Sequence, residues 1–287
     1  MAELKLIDAI DYFATITKNF SDEELELEWN WRAYNEGIRF AFFRTYEELR
    51  QLEATLLSQR TGAGKSITTA QRALGQYHAA YRYLQATMLA ADDELFTVPP
   101  AKNEWSLQRT IGHIIAAERE FFARIMFAVQ QHRQGVEEAI EMSDEEVEEF
   151  VGTYADFERN MNRLSLAGIM ALYDALHKRV LRELADIRAF ELEAPSLWWE
   201  AIPLSVEFRL HRLDSHLRQH TLQIENTLLA LTEPPSEAHH LLKLIYSALA
   251  DTEGAIIGDW LLGQREQQEL AATIQQRADE IKVILES

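Results

Sequence analysis

Apolar side chains recur every three to four residues along nearly the whole chain, the spacing that lines one face of a helix, and no stretch alternates convincingly enough to predict a strand. Two helix starts are explicit. FSDEELELEW sets Ser21 three residues before Glu24, and MSDEEVEEF sets Ser143 three before Glu146, each the pattern of a capping box. Breaks fall where proline, glycine and polar residues cluster: SQRTGAGKS (58–66), FTVPPAKNEW (96–105), LEAPSLWWEAIP (192–203) and TEPPSE (232–237). Between them the pattern predicts helices over 67–93, 106–133, 144–190 with an interruption at 165–168, and 204–231. Four helices of that length can close into a bundle. Two more helical segments precede residue 58 and two follow residue 236.

The expected architecture is therefore all-α: an N-terminal helical extension over 1–60, a four-helix bundle over 67–232, and a C-terminal extension over 233–287. Neither flank alone is long enough for a comfortable core, so the C-terminal one is expected to pack on the bundle or on the N-terminal helices. Aromatics crowd WNWRAYNEGIRFAFFRTY (29–46), a stripe read as core before interface. Eleven glycines and six prolines among 287 residues agree with a helical chain.

Charge removes one class of partner. The chain has 28 Lys plus Arg against 47 Asp plus Glu, a net charge of −19, whereas neutralising phosphates requires clustered cations; no nucleic-acid partner is expected. With no cysteine, thiolate metal sites, disulfides and a cysteine nucleophile are excluded, and any metal must use His, Asp or Glu. MAELKLIDAIDYFATITKNF lacks a basic start and an apolar core, and no apolar run nears about 18 residues, so a cytoplasmic protein without a membrane span is expected. TGAGKS does not make a phosphate loop: Gln59 stands where the first glycine belongs, and helix rather than strand precedes it.

Candidate chemistry centres on histidine. In DSHLRQHTLQIENTLL (214–229), His216 and His220 lie roughly 40° apart on one helix face. They flank a stripe of Val206, Leu210, Leu213, Leu217, Ile224, Leu228 and Leu231, and Arg209 and Thr227 share their line. Alone, such a pair is more often hydrogen-bonded at a core edge than metal-bound. A third ligand must come from another helix, and NEWSLQRTIGHIIAAEREFF offers His113. Its periodicity is equivocal, because Ile111, Ile115, Phe122 and Ile125 define the apolar side while His113 shares its face with Arg109, Ala117 and Glu120. His78, beside Tyr77 and Tyr81, is a lesser candidate, and His211 falls on another face. Glu237 and His240 form a single E-x-x-H where a di-iron bundle needs two.

The segment W-S-L-x3-I-G-H-I-x3-E over 105–118 resembles the second-helix signature of the DinB/YfiT-like superfamily, and H-L-R-Q-H-T-L-Q-I over 216–224 resembles its last-helix signature. The resemblance covers about 68–231 and rests on two motifs roughly 100 residues apart. It implies a four-helix bundle whose second helix gives one histidine and whose last gives two, all binding a divalent metal; here these are His113, His216 and His220.

The resemblance further implies a metalloenzyme of the thiol-dependent transferase or isomerase kind, acting on a small-molecule substrate with a low-molecular-weight thiol. Zinc is the first choice of metal, with nickel or iron as alternatives, since three imidazoles suit several ions. Arg209 is a candidate to hold a substrate anion, and Gln223 or Glu118 to orient a ligand histidine through its other ring nitrogen. Trp198 and Trp199 are candidates to wall the pocket. The competing reading is a non-enzymatic helical module that self-associates or binds a protein, its metal site optional; a homodimer is left open.

Overall fold

The computed structural model describes residues 4–286. In chain order the elements are α1 (Leu6–Thr17), α2 (Asp22–Leu25), β1 (Glu28–Trp31), β2 (Tyr34–Gly37), α3 (Ile38–Gly62), α4 (Thr69–Met88), α5 (Asp93–Phe96), α6 (Leu107–Arg133), α7 (Asp144–Val151), α8 (Tyr154–Arg163) and α9 (Leu166–Leu184). A 3-10 turn (Ala189–Glu191), β3 (Pro195–Ser196), β4 (Leu204–Ser205), α10 (Val206–Leu231), α11 (Glu237–Gly254) and α12 (Gln264–Glu286) follow. The fold is all-α, and the strands make only two short antiparallel pairs. Among the described residues no helix is long and apolar enough to cross a membrane.

The chain divides into two compact units, one of Met1–Ser66, Tyr81–Ala90 and Glu233–Ser287, the other of Ile67–Ala80 and Ala91–Thr232. In the first, α3 packs along α11 and α1 along α12, so helices from both ends of the chain share one core. Phe13 meets Phe42 edge to face at 5.0 Å, a geometry worth about 0.5–1.5 kcal/mol beyond burial. Two buried arginines there find acceptors: Arg60 donates to the carbonyls of Ala255 and Ile257 at 2.8 and 3.0 Å, and Arg277 to Glu48 at 2.8 Å. Arg39 forks onto Glu237, which occupies the carboxylate of the lone E-x-x-H.

One element of this unit departs from expectation. Residues 28–37 form a hairpin with Trp31 opposite Tyr34. Its two-residue turn begins at Arg32 with φ 56°, a left-handed conformation more often signalled by Gly or Asn. The aromatic stripe that follows is divided: Trp29, Ile38 and Phe42 are buried, while Tyr34, Phe40 and Phe43 are exposed.

In the second unit the long helices are α6, α9, α10 and the first part of α4. Tyr77 of α4 and Tyr173 of α9 both bond Glu118 of α6, and α6 packs most extensively on α10. Both capping boxes form as expected: Ser21 with Glu24 and Ser143 with Glu146. Serine or threonine caps also open α6, α8, α9 and α10.

The predicted helix over 144–190 is three helices. The interruption expected at 165–168 falls at Leu164 and Ser165, with 166–168 already in α9, and a second comes at Gly152, whose φ of 89° ends α7. The first bundle helix stops at Met88, and residues 93–96 form a separate turn capped by Asp92.

Gly263 has almost no room for a side chain. Its φ is 62°, and an added Cβ would lie 2.0 Å from Cδ2 of the buried Leu56. Gly263→Ala should lower stability by about 1–3 kcal/mol, read as a drop in the urea midpoint; an unchanged midpoint would show that this turn tolerates an ordinary side chain.

Candidate metal centre

The predicted stripe of α10 faces inward: Val206, Leu210, Leu213, Leu217, Ile224 and Leu228 are buried, with Leu231 part-exposed. His216 and His220, one turn apart at its edge, are carried toward α6 and are themselves 7% and 8% exposed. On α6 the apolar side is Ile111, Ile115, Phe122 and Ile125, all fully buried, and His113 lies beside it as the most accessible of the three.

Periodicity alone favours a surface histidine at 113, and the side chain does stay the most exposed of the three, yet its ring nitrogen reaches His216. Because α6 is packed by α7, α9 and α10, its inward arc is wider than one apolar stripe. Glu118, Phe121 and Arg124 are buried on it as well.

The three rings converge. Nε2 of His113 lies 3.2 Å from Nε2 of His216, and one nitrogen from each histidine falls within 4.8 Å of the others. Two imidazole nitrogens sharing a tetrahedral zinc at about 2.0–2.1 Å would stand roughly 3.3–3.4 Å apart, so the observed separation needs almost no adjustment.

The chemistry of the donors agrees with the geometry. Burial, then the neighbouring His220, His113 and Arg212, push the His216 imidazolium down to about 3. Burial and His220 lower His113 as well. Both rings are therefore held as the neutral imidazoles a metal requires. His220 Nδ1 lies 3.0 Å from Gln223 Oε1, a bond in which the ring N–H donates and Nε2 is left to face the site. The buried Nδ1 of His216 has no hydrogen-bond partner among the described residues. Aromatic rings seal the cluster: Trp105 lies parallel to His220 and edge-on to His113, while Phe121 abuts His216. These residues fit a divalent ion.

The remaining candidates are placed as follows. Gln223 lies against His220, whereas Glu118 bonds none of the three histidines. Its carboxyl is fully buried, bonded by Tyr77 and Tyr173, and desolvation raises it to about 8 despite those bonds.

Arg209 is also fully buried, and its donors are taken by the chain. Both terminal nitrogens fork onto Glu200 at 2.6 and 2.8 Å, Nε reaches Ser196 at 3.1 Å, and the guanidinium lies over Trp198. His211 is exposed. His78 turns away from the cluster to pair with His177 at 2.9 Å. His177 carried no signal in the sequence, lying as it does on an amphipathic helix with no motif.

A cavity of about 580 Å³ opens on His113 and His216, walled by Phe121, Trp198, Trp199 and Tyr154. A second, of about 550 Å³, reaches the other side of His113 from Trp105 and Arg109. The tryptophans thus line a cavity as well as pack: the guanidinium groups of Arg124 and Arg209 lie 5.0 and 5.6 Å from the Trp198 ring, and Trp199 is largely exposed.

A model of the DinB superfamily matches residues 76–224, just over half the chain and the stretch that holds all three histidines. The chain belongs to the DinB superfamily. Comparison with curated proteins and with solved structures returns no significant match.

Glu118 gives a pH signature. Its folded value of about 8 lies above the ordinary 4.5, so the folded chain binds one more proton than the unfolded chain between those values. That contribution to stability is full below about pH 4.5 and is lost as pH rises through about 8. Glu118→Gln should flatten this part of the stability–pH curve, measured by urea unfolding at several pH values; an unaltered slope would mean that another group takes up the proton.

Proposed function

We propose that His113, His216 and His220 hold a divalent metal and that the protein is a metal-dependent enzyme of the thiol-dependent transferase or isomerase class. The observation that carries this is the convergence of three histidine ring nitrogens from two helices, with the 3.2 Å Nε2–Nε2 separation. Three protein ligands leave coordination positions open, the arrangement of a catalytic rather than a structural ion. Zinc is the first choice, with nickel or iron as alternatives. When bound, such an ion supplies the Lewis acidity that lets a thiol or water ionise near neutral pH.

The chain's own residues account for the remaining tasks. Gln223 fixes the tautomer and tilt of His220, while Trp105 and Phe121 restrict water around the imidazoles. The cavity beside His113 and His216 is of a size that suits a small molecule rather than a polymer. Arg209, through Glu200 and Ser196, anchors the 196–209 segment that carries the two tryptophans, and so acts as a positioning residue. The thiol, like the reaction class, rests on the resemblance of the 105–118 and 216–224 motifs to the DinB/YfiT-like superfamily. A small-molecule substrate and a cytoplasmic setting complete the reading.

Protein purified without an affinity tag that supplies metal should contain about one equivalent of a divalent ion by mass spectrometry of the metals. His216→Ala/His220→Ala should lose it while keeping the helical circular dichroism. Metal absent from both proteins would defeat the proposal, and metal retained in the double variant would place it elsewhere.

A further inference from the structure

The larger cavity is acidic in composition, with Glu120, Asp144, Glu148 and Glu200 on its walls, yet these carboxylates are engaged within the chain. Glu120 and Asp144 face Arg124 at 3.1 and 3.7 Å, Glu148 accepts from the Tyr154 amide at 3.0 Å, and Glu200 is forked by Arg209. The two cationic side chains of the cavity differ. Arg119 donates through Nη2 to the carbonyls of Val151, Gly152 and Thr153 and lies over Phe157, which latches the junction of α7 and α8.

Arg212 has no such commitment. Its one hydrogen bond is a long 3.3 Å contact to the Ser215 hydroxyl, and among the described residues it makes no ion pair. It lies one turn before His216 on α10, half-buried, and its charge is felt by both His216 and Glu200.

We infer that Arg212 is the anion anchor of the site and that the molecule it holds is a small carboxylate with an aromatic or apolar body. A guanidinium with a free fork matches a carboxylate in two parallel bonds, and burial in a cleft strengthens them. Phe121, Trp198, Trp199 and Tyr154 supply faces for a flat apolar body in about 580 Å³. The chain's net charge of −19 repels anions from its general surface, so a local cation in this cleft selects where one enters. The carboxylate belongs either to the acceptor substrate or to the thiol, and the probes below distinguish the two sources. The inference rests on the reading of this cleft as the substrate site, and it reassigns the role that sequence alone gave to Arg209.

The test uses isothermal titration of the full chain after EDTA treatment, so that no ion competes for the carboxylate. The probes are 3-phenylpropionate, its uncharged amide 3-phenylpropionamide, and mercaptoacetate as the carboxylate-bearing thiol. Phenylpropionate should bind about ten- to a hundredfold more tightly than the amide, the difference expected of a charge-assisted hydrogen bond. Arg212→Ala should erase that difference, Arg212→Lys should keep part of it, and the exposed Arg265→Ala should leave it intact. Tighter binding of mercaptoacetate than of phenylpropionate, also lost in Arg212→Ala, would assign the anchor to the thiol; the reverse order would assign it to the acceptor.

Equal binding of acid and amide, no binding of any probe, or a difference that survives Arg212→Ala would overturn the inference. Those results in a chain that does carry metal would leave the three-histidine reading standing. Arg212-dependent binding in a chain without metal would do the opposite.

Discussion

Three imidazoles that crowd within 4.8 Å of one another in a half-buried place disfavour a proton on the most buried of them, and the seam between α6 and α10 is built around that constraint. A proton on His216 would put a cation beside His113, His220 and Arg212 in a poorly hydrated place, which is why its value falls to about 3. Aromatic cover from Trp105 and Phe121 enforces the desolvation, and Gln223 fixes one ring from behind. The cost is borne by packing: the apolar stripe of α10 and the buried isoleucines of α6 hold the helices close enough for the nitrogens to face one another. Bringing a divalent cation to such a cluster offsets what burial took away.

The same logic sorts the other ionisable groups of this unit. Glu118, with two tyrosine hydroxyls and no cation, is held protonated and ties α4, α6 and α9 together. Arg209, buried completely, is tolerated because Glu200 matches its fork. Arg212, three residues later and part-exposed, lacks a matching acid. A buried charge with a partner belongs to the scaffold; a cation left without one beside a reactive cluster is available to a ligand.

Local signals were legible in the sequence, and long-range ones were not. Ser21 with Glu24 and Ser143 with Glu146 form their capping boxes because a cap depends on residues three apart. The hairpin at 28–37 leaves no sequence signal because its strands are four residues each and its turn places Arg32 where a glycine would mark it. His216 and His220 were readable as a pair, but His113 needed the resemblance, since its own helix wheel pointed outward. Arg209 and Arg212 lie on one helix face about 60° apart, and what separates their roles is Glu200 in a loop no periodicity describes. His177, found opposite His78, illustrates the same limit.

The central claim is that these three nitrogens share one ion, and anomalous diffraction at the absorption edge of the bound metal tests it most directly. The account predicts a single strong peak bonded to His113 Nε2, His216 Nε2 and His220 Nε2, at about 2.0–2.1 Å if the ion is zinc. A peak elsewhere, or the three rings in these positions around ordinary water after incubation with zinc, would contradict it.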